Sequence, residues 1–109
     1  MPADPARRPQ APSMILATQI GALTGDLAKV SLVRERAWAS ITFTGIRYSY
    51  AVDWPEIPQL GVLRNFATAL LNTEFAIPGY FVADIIATEQ SEDHMLIEAL
   101  SIIDPVDNR

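Results

Sequence analysis

The stretch Trp38–Trp54, WASITFTGIRYSYAVDW, constrains the fold more than any other part of the chain. It is rich in β-branched and aromatic residues, and Gly45 is its one strong turn former. The pattern predicts a β-hairpin of residues 38–43 and 46–52 around a two-residue turn at Thr44-Gly45. That register sets Phe43 opposite Ile46, Ile41 opposite Tyr48 and Ala39 opposite Tyr50, all on one face because side chains alternate along a strand. Ser40, Thr42, Arg47 and Ser49 fall on the other face. A slip of one residue would turn the whole apolar set to water, so the pattern selects its own register. Thr-Gly is a weaker turn signal than Asn-Gly, which leaves a three-residue loop with a bulge as the alternative.

The elements around this hairpin follow from periodicity. Ser13 offers an N-cap, Leu16, Ile20, Leu23 and Leu27 recur at helical spacing, and Gly25 suits a left-handed cap, so a short helix ending near Gly25 is expected. A strand is the competing reading, given Ile15, Leu16 and Thr18. Val30 and Leu32 alternate with Lys29 and Ser31 as in a strand, and the Arg34-Glu35-Arg36 segment is read as a charged turn. The other possibility, one long bent strand, would exceed the usual strand length. Lys29 and Arg34 are suited to guarding a sheet edge. After Pro55 and Pro58, the spacing of Leu60, Leu63, Phe66, Ala67, Leu70 and Leu71 predicts a helix over 59–72, its apolar stripe covering Ile41, Phe43, Tyr48 and Tyr50. Residues 80–88 and 95–103 read as two strands around a turn at 90–93, apolar enough for both faces to be covered or for one to lie in an interface.

The result is an α+β fold: one small domain over residues 14–104, with an antiparallel sheet of about five strands and two helices on one face, in the order α-β-β-β-α-β-β. Residues 1–13, with four prolines and two arginines, read as a disordered arm, and 105–109 as a polar tail. Arg7-Arg8 before MILATQIGAL resembles a secretory signal, but Gln19 and Gly21 interrupt the apolar run and no small-residue cleavage site follows. No apolar run approaches the ~20 residues of a membrane span.

Half the residues are hydrophobic and 19% are charged, a globular composition. The absence of cysteine excludes a disulfide framework and thiolate chemistry and fits a cytoplasmic setting. The net charge of −5 hides a polarity along the chain. Residues 27–73 carry five basic and three acidic groups, whereas residues 74–109 carry eight acidic groups and Arg109 alone. An acidic second half serves solubility, or meets a basic partner surface. With a pI near 4.6, the nucleic-acid backbone is not an expected partner.

Two carboxylates stand in unusual places, Asp84 in YFVADIIA and Glu98 in MLIEALSII. Pairing of residue 87 with 96 sets them on opposite sides of the sheet; a register change by one sets them on the same side. Burial would raise such a group's pKa and suit it to general acid or base work; the structural alternative is pairing with an arginine or exposure at an edge. Neither is assigned a catalytic role; of the two, Asp84 is the stronger candidate, since it follows the Pro78-Gly79 loop. Arg47, Tyr48 and Asp84 form the candidate ligand-binding set, with Arg47 suited to anions. His94, the single histidine, reads as a solvated turn residue, and no zinc set can be built around it. A calcium loop, a phosphate loop, a dinucleotide fingerprint and a nucleophile elbow are all missing. No cofactor is expected. The sequence favours a non-catalytic protein-interaction or homo-oligomerising module, whose partner is another protein or a second copy. A small-ligand or catalytic pocket between the 59–72 helix and the sheet, using Asp84, is the alternative.

Overall fold

The computed structural model describes residues 11–105. Within them, two helices, α1 (Pro12–Leu23) and α2 (Leu60–Asn72), accompany four strands, β1 (Lys29–Ala39), β2 (Thr44–Asp53), β3 (Tyr80–Ser91) and β4 (His94–Ile103). The strands form one antiparallel sheet in the order β1-β2-β4-β3. The α+β class stands, with four strands instead of about five and the order α-β-β-α-β-β. The predicted arm falls outside the described residues except at its end, where Pro12 and Ser13 belong to α1; residues 106–109 of the predicted tail also lie outside them.

The missing strand boundary is the charged segment 34–36, which is strand throughout. Residues Lys29–Ala39 run as one eleven-residue element, with a bulge between Leu32 and Arg34 where Val33 has no partner. A bulge bends a strand and increases its twist, so a long strand can follow the sheet without breaking.

The hairpin turn also moves. The pairing is Ala39 with Thr44 and Trp38 with Gly45, so the loop is Ser40–Phe43 and Gly45 lies inside β2. Ser40 builds this loop: its hydroxyl accepts bonds from the N–H groups of Phe43 (3.0 Å) and Thr42 (3.3 Å), and its N–H donates to the Phe43 carbonyl (2.8 Å). Ile41, placed in the core by the sequence pattern, is fully exposed at the loop tip. Gly45 has a different task from turning. A Cβ there would sit 2.2 Å from the Ser101 carbonyl oxygen, so β2 and β4 approach closely only because the side chain is absent.

The alternation of β2 is as expected. Tyr48, Tyr50 and Val52 are buried on the inner face, joined by Met95, Ile97 and Ala99 of β4. Leu16 and Ile20 of α1 and Leu63, Phe66 and Leu70 of α2 close over the same face, making one core cluster with Trp54. Trp54 and Phe66 meet edge to face at 5.5 Å. The Tyr50 hydroxyl donates to the Ser13 carbonyl at 2.8 Å and ties the start of α1 to the sheet.

Helix ends differ from the sequence signals. Ala11 is the N-cap of α1, and Pro12 opens the helix where a missing N–H has no consequence; Ser13 is buried within the first turn. At the other end Gly25 is left-handed as expected, followed by Asp26 in the same region. Gln19, the polar break in the α1 pattern, clamps the chain before β3: its amide donates to the Ala76 carbonyl (2.7 Å) and accepts from the Ala76 N–H (2.9 Å).

Candidate functional site

Both helices lie on the inner face, so among the described residues no helix or strand covers the outer face. Pairing fixes what that face carries, because residues directly opposite in neighbouring strands point the same way. Nearest the Ser40–Phe43 loop, a row runs Trp38, Gly45, Ile102, Phe81 across the four strands. Arg36, Arg47, Leu100 and Asp84 make the next row, then Arg34, Ser49, Glu98 and Ile86. The far end carries Lys29, Asp53 and His94, with the His94 ring bonded to the Asp53 carboxylate.

Two patterns cross on this surface. Along the strands, the loop end is apolar and aromatic. Phe43 and Phe81 meet edge to face with centroids 6.3 Å apart, although β4 separates β2 from β3. Leu100 and Ile102, on the face that no helix covers, are only 8% and 5% exposed. Across the strands, charge changes sign. Lys29, Arg34, Arg36 and Arg47 lie on β1 and β2, and Glu98 and Asp84 on β4 and β3. The strand order turns the charge polarity of the sequence into a polarity in space, since it sets the N-terminal hairpin beside the C-terminal one. Arg36 and Arg47 stand directly opposite one another, an arrangement that disfavours the isolated sheet. Among the described residues, no salt bridge joins Arg34, Arg36 or Arg47 to a carboxylate.

The candidate carboxylates lie on the same side. The expected register holds at Tyr80–Val82, where Val82 faces Ser101, but Ala83 bulges out and shifts the pairing by one, so that Asp84 faces Leu100 and Ile86 faces Glu98. Asp84 is exposed and Glu98 half-buried. Arg47 shares the outer face with Asp84, with Leu100 between them, whereas Tyr48 points into the core. The three are therefore not gathered into one pocket. Burial, then the nearby Glu35 charge and Tyr80, push the Tyr48 hydroxyl up to about 12. Tyr50 moves further in the same direction, chiefly through burial and then through Tyr48 and Glu35.

A groove of about 650 Å³ does lie between the C-terminal end of α2, the segment after it, and β3. Leu71, Phe75 and Phe81 supply apolar wall, and Glu74 and Asp84 its charged groups. It borders neither Arg47 nor Tyr48, and it is open to solvent. The sequence pattern places Arg34 and Arg36 in a turn; their period-two alternation around Glu35 is the strand signal that sets them on the outer face instead.

Among the described residues, no cluster of three or more His, Asp or Glu side chains is arranged to hold a metal ion. No helix among them is long and apolar enough to cross a membrane. Set beside known protein families, curated proteins and solved structures, the chain matches none of them.

Proposed function

We propose that this protein is a non-catalytic interaction module whose work is to bind another protein surface, foremost a second copy of itself. One observation carries the reading: a four-stranded sheet whose outer face no helix or strand among the described residues covers, with Trp38, Phe81 and the loop residue Phe43 gathered at one end around the buried Leu100 and Ile102. A contiguous apolar patch rimmed by charge is the usual mark of an interface in a folded protein. Enzymatic groups are not assembled on it. Native mass spectrometry of the purified protein, followed through dilution, tests the proposal. A dimer that dissociates on dilution is expected; a monomer at every concentration, with no partner retained, overturns it.

A second reading rests on the groove beside β3. Its charged lining groups are both carboxylates, so its ligand would be a small molecule with an apolar body and a cationic group. The same spectrum reads this out as a small adduct mass, which Asp84→Asn is expected to remove. Retention of the adduct by that variant rejects Asp84 as its anchor.

A further inference from the structure

The outer face of the sheet also dictates how two copies meet. We infer that the protein pairs face to face through the outer side of its sheet, about a two-fold axis running parallel to the strands. This rests on the self-association proposed above and adds its geometry.

A two-fold contact lays one surface patch on itself, so each row of side chains must find its complement on the same surface. Two face-to-face axes are available in the plane of the interface. An axis perpendicular to the strands would lay β1 over β1 and β3 over β3. Arg34, midway along the outer face of β1, would then face its own copy, and the aromatic end would cover the polar Lys29–His94 end. An axis along the strands and between β2 and β4 reverses strand order but keeps position along the strand. It lays β1 and β2 of one copy over β3 and β4 of the other. Arg36 then meets Asp84, and the Trp38–Phe81 row meets its counterpart. One operation satisfies both patterns, and the other satisfies neither.

The chemistry points to a second copy because the surface is complementary to itself. A partner of single charge would match half of the face and repel the other half, whereas an identical surface turned about this axis sets the basic half of each copy over the acidic half of the other. The size is adequate. Four strands at about 4.8 Å spacing and ten residues at about 3.3 Å rise span about 600 Å² per copy, or about 1,200 Å² in total, the lower end of specific interfaces. In this arrangement Arg36 faces Asp84 of the other copy, twice by symmetry.

Reciprocal charge reversal tests the geometry. Arg36→Glu sets a carboxylate against Asp84 of the other copy, and Asp84→Lys sets an ammonium group against Arg36. Each variant alone should therefore dissociate at least about tenfold more readily than the native protein. An equimolar mixture of the two variants restores opposite charges across the contact and should give heterodimer, distinguishable by mass. Neither misfolding nor a general charge effect produces that rescue. A native protein that never dimerises overturns the proposed function along with this geometry. If instead the native dimer forms and the two variants dimerise as it does, only the face-to-face arrangement fails, and the contact is sheet continuation along the free β3 edge, where Arg36 lies three strands away. Loss of dimer in both variants without rescue on mixing also overturns the pairing of Arg36 with Asp84.

Discussion

Adding one methyl group at Gly45 should open the sheet at its centre. A Cβ built there lies 2.2 Å from the Ser101 carbonyl oxygen, 3.0 Å from the Ile102 Cα and 3.1 Å from the Ser101 carbonyl carbon. All three are backbone atoms of β4, so no side chain can swing away, and the strands must part by most of an ångström. Overpacking of this kind costs about 1–3 kcal/mol, and a ladder hydrogen bond lost with it adds about 1 kcal/mol. The gain from a stiffer unfolded chain, about 0.4–1 kcal/mol, offsets only part of this. Gly45→Ala should therefore lose about 2–3 kcal/mol, a fall in Tm of about 10–20 °C for a domain of this size. Gly61→Ala supplies the control. Gly61 is in α2 with no atom within 4 Å of its would-be Cβ, so the same chemical change there should stabilise by up to about 1 kcal/mol. Thermal and urea unfolding followed by circular dichroism read both. A Gly45→Ala protein that melts with the native one would refute the argument that this glycine sets the distance between β2 and β4.

Two further predictions concern buried polar groups. Among the described residues, the Ser101 hydroxyl is buried on the inner face with no hydrogen-bond partner, so Ser101→Ala should be neutral or stabilising by up to about 1 kcal/mol; a clear loss in urea unfolding would mean the hydroxyl is bonded in solution. The raised Tyr48 pKa makes folding favour its neutral form, so its contribution is complete below about pH 10, where the unfolded group titrates, and is lost as pH rises toward 12. Unfolding experiments across that alkaline range should show Tyr48→Phe losing stability less steeply than the native protein; equal slopes would contradict the assignment.

The parts of this fold legible in the sequence are those where one period dominates. The α2 helix declares itself through Leu63, Phe66 and Leu70, and the β2 faces through Tyr48, Tyr50 and Val52 alternating with Arg47, Ser49 and Ala51. What the sequence hides is the placement of single residues that break a period. Val33 and Ala83 are bulges, and neither carries a glycine or proline to announce it. The Ala83 bulge brings Asp84 and Glu98 to one face, so an assessment of those carboxylates by regular pairing is one residue astray. At the hairpin the competing signals are Gly45 and Ser40. Gly45 is needed for close strand approach and Ser40 for its hydroxyl bonds to the loop, two roles that composition alone does not separate. The outer face is half visible in the sequence, as a charge polarity along the chain. Its sharpness depends on β4 entering the sheet between β2 and β3, a long-range choice.

That choice has a consequence for how the molecule comes into being. β1–β2 and β3–β4 are hairpins that form from neighbouring sequence, but the β2–β4 seam joins segments 41 to 57 residues apart and holds the two halves together. During synthesis the N-terminal hairpin emerges first and must wait, with Tyr48, Tyr50 and Val52 uncovered on one side and no partner along the β2 edge, until the chain has been made through residue 103. A strand that is late in synthesis and central in space makes assembly nearly all-or-none, and it leaves a long interval in which the nascent sheet edge is open to other chains.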